Sequence, residues 1–551
     1  MEETMKKQLD DLFYQIVKKK NKGGVSLILF NDEEVFYEVY DGFIQKENNI
    51  RPDENSLYMI GSNTKIFTAL GILKLYEEGK LSLGDDVRDY LPLSVKSRFG
   101  DQKITIESLL MHRSGLQCDL YEYFITESKD FSDVIEGLNK TYLTSIPGEM
   151  FSYSNLGFTL LGLIIQKVSG MTYVDYLKKI LLHPMEIEMY FGREDELPKE
   201  VSDHLAYSYD KKGNRTKDAL GCMIPAGSCT YTRIKDLAKI GVLLMNKGVY
   251  QGKRYFKEET IETMTENKVM DSADEEVFNY SYGIIHNQLD LKHKTSKIIG
   301  HGGNTLYHHS CFNYLPEEKV GIIVFTNSKS GIQLSRKAEK EIFDKYFELQ
   351  NYPLKEEVKF TELDPNQYVG KYDTLMGPIE FKTSGNQLMT MLPGFKIRLK
   401  KDENDYFHCE ATGLWGLIPP LANKIREISF KQCRYLDKDV LIMKQGVALI
   451  AGKRYEETKI DPEWKKAAGT YVPKDPRMNA IAKKAILTIK NKELLLTLRL
   501  EEQPLNYFLT CINGNEAIVK GFGRNTNQTV YLYKENDKYC ISVDGIEMIR
   551  K

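Results

Sequence analysis

The sequence predicts an α+β amino-terminal domain followed by antiparallel, barrel-like β domains. A chain of 551 residues is too long for one hydrophobic core, so several domains are expected. Strand-like segments stand on both sides of a helical block between residues 24 and 328. Such an order builds one sheet from both ends of the domain and leaves a cleft between two halves. From about residue 358, alternating apolar and polar segments dominate, which is typical of antiparallel strands.

The composition is that of an ordinary globular protein, with 42% hydrophobic and 28% charged residues. The formal net charge of -2 provides no general attraction to nucleic acid or to anionic membranes, so neither is an expected partner. The 34 tyrosines and 24 phenylalanines favour a large β content.

The first domain is predicted over residues 1–350, and its elements follow in order. An amphipathic helix over residues 4–20 ends at "NKGG", and two strands over 24–43 turn at Asn31 and Asp32. Helices are predicted directly after Ser62, over 105–116 and over 153–170, where Gly170 ends the helix. Later strands are expected over 280–285, 297–303, 310–316 and 319–328, before a last helix over 332–349.

The carboxyl-terminal region predicts two barrel-like or lipocalin-like domains, over residues 358–455 and 462–551. A faint repeat supports two units, because "NQYVGKYDT" from residue 366 and "KAAGTYVPK" from residue 466 both place a Gly-x-Tyr early. The linker is predicted within residues 453–466. Since the repeat is weak, one larger β domain is the alternative.

Cysteine usage and the chain start bear on the compartment. The eight cysteines form no C-x-x-C pair, which favours buried thiols over disulfides or a zinc site; they are Cys118, Cys222, Cys229, Cys311, Cys409, Cys433, Cys511 and Cys540. The charged start "MEETMKKQLDD" lacks the apolar core of a signal peptide, and no run reaches the roughly 18 apolar residues of a membrane span. A cytoplasmic protein is expected, although removal of a leader would leave the same sequence.

A lysine in an apolar stretch is the first candidate for chemistry. In "MIGSNTKIFTALGIL", residues 59–73, Lys65 is the one charged residue and lies one helical turn after Ser62. Burial would lower the pKa of its amine, and a neutral amine beside a serine hydroxyl activates a nucleophile. The alternative is a lysine whose head reaches solvent at a helix edge. Spacing alone does not decide, because Ser208 and Lys211 share it in a polar, turn-like segment.

A second candidate is "FSYSNLGF", in which Tyr153 and Asn155 alternate around Ser154. In an extended segment both side chains point to one side, where a phenol can move protons and an amide can hold a substrate. Helix capping by Ser154 or Asn155 is the structural alternative.

A third candidate is "IIGHGGNTLYHHS", in which two glycines after a strand permit close approach of a ligand. His301 precedes them, and a purely structural histidine is the alternative. His308 and His309 have no acidic or cysteine partner at ligand spacing, so neither a metal nor another cofactor is expected.

Together, and in this order, the three segments resemble the motifs of the penicillin-recognising serine hydrolases. "SNTK", "YSN" and "HGG" are separated by 91 and 148 residues (62 to 153 and 153 to 301), as in the branch that contains class C β-lactamases, D,D-carboxypeptidases, D-aminopeptidases and related esterases, peptidase family S12. The resemblance covers roughly residues 10–345. It implies a β-lactamase-like transpeptidase fold, an antiparallel sheet flanked by helices plus a helical subdomain.

By this resemblance, Ser62 would be the acylated nucleophile and Lys65 would help to deprotonate it. Tyr153 would be the general base in acylation, then the acid or base for the leaving group and the attacking water.

The same resemblance implies binding roles for the remaining positions. Asn155 would orient the substrate, and His301 with Gly303 would contact it, His301 donating to Tyr153 or to a substrate carboxylate. The oxyanion hole would consist of the backbone N–H groups of Ser62 and Asn304.

His301 stands where class C β-lactamases have a lysine, which favours peptide or ester hydrolysis over destruction of antibiotics. The leading hypothesis is a serine hydrolase acting on small peptides, D-amino-acid amides or related amides, with β-lactams as acylating ligands. A carboxylesterase or an acyltransferase of the same fold is the alternative. A penicillin-binding sensor or scaffold without turnover is the alternative from another class.

The added β domains resemble those of D-aminopeptidases, so a loop from one of them is expected to reach the cleft. The sequence does not indicate an oligomeric state.

Overall fold

The fold was determined as a computed structural model. It describes residues 1–18, 22–124, 130–217, 223–266, 268, 277, 279–286, 289–374, 377–392, 395–412, 419–435, 438–490, 492–500 and 504–551.

Helices are concentrated in the first 350 residues. They are α1 (Glu3–Val17), α2 (Thr64–Glu77), α3 (Ile106–Leu110), α4 (Val134–Asn139), α5 (Asn155–Ser169), α6 (Tyr173–Leu177), α7 (Ile234–Met245), α8 (Glu258–Thr265), α9 (Gly331–Leu349), α10 (Pro419–Arg426) and α11 (Pro462–Lys466). The predicted helix over 105–116 is shorter than expected, because His112 and Gly115 adopt positive φ angles of 54° and 68° that a helix cannot accommodate.

The strands of the amino-terminal domain are β1 (Gly24–Asn31), β2 (Val35–Gly42), β3 (Leu57–Met59), β4 (Met189–Phe191), β5 (Ser208–Tyr209), β6 (Arg215–Thr216), β7 (Thr230–Arg233), β8 (Val249–Tyr250), β9 (Lys253–Arg254), β10 (Asn279–Tyr280), β11 (Ile285–His286), β12 (Ile299–Asn304), β13 (His309–Leu315) and β14 (Val320–Thr326).

The strands of the carboxyl-terminal region are β15 (Gly370–Thr374), β16 (Ile379–Ser384), β17 (Gln387–Leu392), β18 (Phe395–Lys401), β19 (Phe407–Ala411), β20 (Ile428–Tyr435), β21 (Lys438–Gln445), β22 (Val447–Arg454), β23 (Gly469–Pro473), β24 (Ala482–Lys490), β25 (Glu493–Leu500), β26 (Pro504–Cys511), β27 (Glu516–Val519), β28 (Thr529–Glu535), β29 (Lys538–Val543) and β30 (Ile546–Arg550).

The central sheet combines strands from the start and from the end of the first domain, as the order of elements predicts. Its seven strands run β10-β11-β12-β13-β14-β1-β2, and the registers between β1, β2, β12, β13 and β14 are antiparallel. β13 and β14 are buried along their whole length because helices cover both faces of the sheet. Helices α1 and α9 pack on one face, and α7 together with the helical block packs on the other. The predicted α+β fold class is confirmed.

The helical block holds the start of α2 in a dry environment. Eleven of the 14 residues of α2 are buried, and the middle of α5 is buried against it, from Leu156 to Ile165. Gly170 ends α5 in the left-handed conformation, with φ of 69°, as predicted.

The carboxyl-terminal region forms two closed eight-stranded antiparallel barrels, which confirms the predicted barrel-like class. The first closes by pairing of β15 with β22, and the second by pairing of β23 with β30. Buried side chains fill both interiors, among them Phe381, Phe407 and Phe430 in the first barrel, and Trp464 and Tyr507 in the second.

Polar contacts join the amino-terminal domain and the two barrels to one another. Lys520 Nζ of the second barrel donates to Glu493 of the same barrel at 2.8 Å and lies 3.8 Å from Asp373 of the first barrel. Toward the first domain, Arg98 pairs with Glu516 at 2.9 Å, and the backbone N–H of Tyr121 donates to the carbonyl oxygen of Asp544 at 2.8 Å.

The seven cysteines within the described ranges are thiols that form no disulfide with one another, and Cys222 lies outside those ranges. Within the described part of the chain, no helix is both long enough and apolar enough to cross a membrane.

Candidate active site

Ser62 lies in a tight turn between β3 and α2 that is pressed against β12. Gly61 has a φ of +54°, which favours glycine, and a Cβ there would lie 2.8 Å from the amide nitrogen of Asn304. A Cβ on Gly303 would lie 1.8 Å from the carbonyl oxygen of Ile60. The backbone of Asn304 therefore lies beside the residue that precedes Ser62. Gly303, expected in substrate binding, packs against this turn.

Lys65 points inward from the first turn of α2 and is 0% exposed. Its Nζ donates to Asn155 Oδ1 at 2.7 Å and to the carbonyl oxygen of Ala226 at 2.5 Å, and it lies 3.0 Å from Ser62 Oγ, to which it can donate only as the protonated ammonium. The spacing seen in the sequence thus becomes a direct contact between amine and hydroxyl, and the solvent-exposed lysine is not what the structure contains.

Burial holds the pKa of the Lys65 amine well below its usual 10.5, and the positive charge of Arg524 lowers this pKa further, whereas Asp119 opposes the shift. A neutral amine has two N–H groups and one lone pair. Asn155 and Ala226 accept the two N–H groups, so the lone pair of neutral Lys65 faces the hydroxyl of Ser62.

Tyr153 completes the triangle with Ser62 and Lys65, and Lys65 Nζ lies 5.0 Å from the centre of its ring. Burial raises its pKa, although the hydrogen bond with Ser62 and the charge of Arg524 act in the opposite direction. Burial outweighs both of these effects, so Tyr153 is a neutral phenol in the free protein.

The segment after Tyr153 both caps helix α5 and directs a side-chain amide into the site. Ser154 is the helix cap, since its Oγ accepts from the backbone N–H of Gly157 at 3.0 Å. Asn155 then aims its amide into the site, where its Oδ1 accepts from Lys65 and its Nδ2 donates to Asp119 at 2.7 Å. Both ends of this amide thus contact protein groups, leaving one N–H and one lone pair for a substrate.

His301 is buried below the site and is held neutral. Its Nδ1 donates to the carbonyl oxygen of Gly302 at 2.6 Å, and its Nε2 accepts from the hydroxyl of Tyr280 at 3.0 Å. Burial lowers its pKa to about 3, and protonation of Lys65 would lower it further. The expected donation to Tyr153 is not formed, because both ring nitrogens already have partners. The two rings are 6.2 Å apart.

The other two histidines of this segment are structural. His308 Nδ1 accepts from the backbone N–H of Met59 at 3.3 Å, which leaves its Nε2–H for Ser208 Oγ at 3.2 Å. His309 Nδ1 lies 2.8 Å from Asn304 Oδ1. Ser208 thus contacts a histidine rather than Lys211, so the second S-x-x-K segment lies outside the site.

Sequence reasoning missed His112. Its Nδ1 accepts from the backbone N–H of Ser154 at 3.0 Å, and its ring lies 4.1 Å from that of Tyr153 and 4.3 Å from that of Tyr280. His112 thus positions Tyr153 by packing against its ring and by binding the backbone of the next residue. The available signal was "MHRSGL", where a histidine follows a short helix immediately before a glycine turn.

Sequence reasoning also missed Asp119 and Arg524. Asp119 is 2% exposed, and its two oxygens accept from Asn155 at 2.7 Å and from Arg524 at 2.6 Å. Arg524 lies on the loop between β27 and β28 of the second barrel, 5.1 Å from the ring of Tyr153. A loop from a β domain therefore reaches the site, as the architecture led us to expect.

Known proteins are similar to this chain in sequence and in fold. The Beta-lactamase family model matches residues 9–347. Protein flp of Staphylococcus aureus (strain MRSA252) is 32% identical over 211 residues, 38% of this chain and 42% of that protein. A penicillin-binding protein of Bacillus subtilis (strain 168) is 32% identical over 218 residues, 38% of this chain and 46% of that protein. The matches thus span less than half of either relative.

Among solved structures, the octameric penicillin-binding protein homologue from Pyrococcus abyssi superimposes with a TM-score of 0.54 and 25% identity. The superposition covers 80% of this chain and 99% of that one. The shared region extends beyond 347, where the family match ends, so the similarity includes part of the barrel region.

Proposed function

Since the chain belongs to the beta-lactamase family, we propose that it is a serine hydrolase that forms an acyl-enzyme on Ser62. One observation carries the proposal: a fully buried Lys65 amine lies 3.0 Å from the hydroxyl oxygen of Ser62. Catalysis by a serine needs a base that is neutral near the working pH and already in hydrogen-bond reach.

In the acylation step, neutral Lys65 takes the proton from Ser62 as Oγ attacks the substrate carbonyl. The direction of the two pKa shifts favours Lys65 over Tyr153 in this role, because burial makes the amine neutral and also keeps the phenol protonated. Tyr153 then gives its proton to the leaving group, and the proton on Lys65 returns to Tyr153 through the Ser62 oxygen network.

In the deacylation step, water attacks the ester formed on Ser62 and the same relay runs in reverse. Tyr153 first passes its proton to neutral Lys65, and the resulting phenolate removes a proton from the water. Lys65 then gives the proton it received to Ser62 Oγ as the ester bond breaks, so both groups return to their starting states. The backbone N–H groups of Ser62 and Asn304 are proposed as the oxyanion hole, which the close packing of Gly61 against Asn304 supports.

The proposed substrates are small peptides, D-amino-acid amides or related amides. A carboxylesterase or an acyltransferase uses the same residues and remains the alternative. A sensor that is acylated without turnover is the alternative from another class, and similarity to penicillin-binding proteins keeps β-lactams among the expected acylating ligands.

Labelling with a fluorophosphonate probe, followed by peptide mass spectrometry, tests the nucleophile. We expect modification of Ser62 in the native protein, none in Ser62→Ala, and strongly slowed labelling in Lys65→Ala. Ser208→Ala is the matched control, because Ser208 shares the S-x-x-K spacing and lies outside the site. Modification that is unaffected by Ser62→Ala would overturn the proposal, and labelling without turnover of any ester or amide would favour the sensor.

A further inference from the structure

Arg524 is the charged side chain through which the second barrel enters the site. Its guanidinium carbon lies 5.1 Å from the centre of the Tyr153 ring, beside Ser62 and Lys65. Its side chain is 44% exposed, whereas that of its partner Asp119 is 3% exposed. The cation is thus accessible to solvent beside Tyr153, and the anion that balances it is buried.

The guanidinium keeps donors available. One of its N–H groups, on Nη2, is bonded to Asp119 Oδ2 at 2.6 Å. A guanidinium has five N–H donors arranged in a planar fork that matches a carboxylate. Because Asp119 anchors one side of the group, the remaining donors are held in place for a second carboxylate.

The loop that carries Arg524 is held on both sides of this residue by buried neighbours and a backbone hydrogen bond. Four of its residues have positive φ angles (Gly521, Gly523, Asn525 and Asn527), and the backbone N–H of Asn527 donates to the carbonyl oxygen of Val519 at 2.8 Å. Phe522 and Thr526 on either side of Arg524 are buried, at 7% and 0% exposure. A preorganised cation loses little conformational entropy when it binds an anion.

The charge at the site opposes a cationic substrate. Asp119 is the carboxylate nearest to Arg524, and both of its oxygens are occupied, one by Asn155 and one by Arg524. A substrate with a free ammonium group would meet the exposed guanidinium, while one with a carboxylate would be attracted to it.

We propose that Arg524 binds a carboxylate of the substrate, so that the enzyme selects anionic acyl compounds over those with a free amino group. The inference rests on the proposed function and narrows its substrate class to peptides and amides that carry a carboxylate, so that D-amino-acid amides with a free amino group are disfavoured. Binding of the carboxylate is non-covalent and places the reacting carbonyl over Ser62.

Two matched substrate series test the proposal. The first varies the acyl chain: the para-nitrophenyl monoester of adipic acid, the corresponding hexanoate and the corresponding aminohexanoate. The second varies the leaving group: meta-carboxyphenyl acetate against phenyl acetate. We expect kcat/KM for the carboxylate compound to exceed that for the neutral one by about tenfold in at least one series, with the amino compound the poorest.

The ratio of anionic to neutral kcat/KM is then measured in variants. Arg524→Gln combined with Asp119→Asn removes both charges and leaves no unpaired buried carboxylate, and it should bring the ratio close to one. Arg524→Lys should keep part of the preference. Arg98→Gln is the control, since Arg98 also forms an ion pair between the first domain and the second barrel, at Glu516, and its loss should leave the ratio unchanged.

A general loss of activity lowers kcat/KM for the anionic and the neutral substrate alike and leaves their ratio unchanged. A variant with reduced activity is therefore still informative. Ser62-dependent hydrolysis with a ratio near one in both native series would overturn this inference and leave the proposed function intact. A native preference that survives the Arg524→Gln and Asp119→Asn pair would also overturn it. Failure of the fluorophosphonate to modify Ser62 would overturn both proposals.

Discussion

Arg524 of the second barrel donates to the carboxylate of Asp119 in the first domain at 2.6 Å, across 405 positions of the chain. Asp119 in turn holds Asn155, and Asn155 accepts from Lys65. The barrel is therefore connected to the amine beside Ser62 through two side chains. The second barrel therefore contributes the positive charge of Arg524 to the site.

The connection predicts opposite shifts in the pH dependence of acylation. Labelling of Ser62 should slow as pH falls through the pKa of Lys65, because protonation removes the lone pair that accepts the serine proton. Arg524 lowers this pKa and Asp119 raises it. Arg524→Gln should thus move the midpoint of the labelling rate to higher pH, and Asp119→Asn should move it to lower pH. Shifts in the same direction would contradict this assignment.

Tyr153→Phe should reduce turnover by about 10²–10⁴-fold, because the leaving group and the attacking water lose their proton relay. The ring and its packing against His112 remain, so the free energy of unfolding should change little. Steady-state hydrolysis of an activated ester and thermal unfolding measure the two quantities. Retention of native turnover would remove the phenol from the mechanism.

Gly61→Ala should damage the nucleophile turn. The new Cβ would lie 2.8 Å from the amide nitrogen of Asn304 and push the strand away from Ser62. Separation of the two backbone donors is expected to cost about 10²–10³ in kcat. Gly79→Ala is the matched control: Gly79 also has a positive φ, of +67°, but a Cβ there has nothing within 4 Å. Equal losses of activity in the two variants would contradict the explanation.

The Asp119–Arg524 pair should be asymmetric in stability. Arg524→Gln leaves a buried carboxylate without its cation, which typically costs about 3–5 kcal/mol. Asp119→Asn leaves a cation that is 44% exposed and can be hydrated, so the free energy of unfolding should fall by much less. Chemical denaturation of the two variants and of the double variant measures the difference. A larger loss in Asp119→Asn would be inconsistent with the burial of the carboxylate.

Asp544 should make stability depend on pH. Burial raises its pKa from 3.8 to about 7 in the folded protein, with Asp119 adding to the shift. Between these values the unfolded state ionises first, so stability should fall as pH rises through this window and level off above it. Asp544→Asn should remove up to about 4 kcal/mol of that fall, each pKa unit being worth about 1.4 kcal/mol. Thermal unfolding at several pH values compares the two proteins, and identical pH profiles would refute the role of this carboxyl.

Much of the molecule could be predicted from local patterns. Alternating segments predict the strands of both barrels, and the apolar stretch after Ser62 predicts a buried helix that carries Lys65 inward. Gly170 ends α5 in the left-handed conformation that glycine adopts at little cost. These features depend on residues close together in the chain, so they are visible without a structure.

The proton and charge state of the site was decided by tertiary contacts. His301 accepts from Tyr280, and this pairing removes the donation to Tyr153 that its motif led us to expect. The pKa of Tyr153 is raised because packing around it excludes water, an effect that no single motif encodes.

By itself, then, the sequence determined the sheet-and-barrel architecture, because strand alternation is a local property, and the resemblance of its motifs to a known family pointed to Ser62, Lys65 and Tyr153 as candidates. Only the tertiary structure brought Asp119 and Arg524 to them. Desolvation and ion pairing depend on which distant segments are in contact in the folded protein. Such contacts cannot be recognised from the pattern of apolar and polar residues in either segment alone.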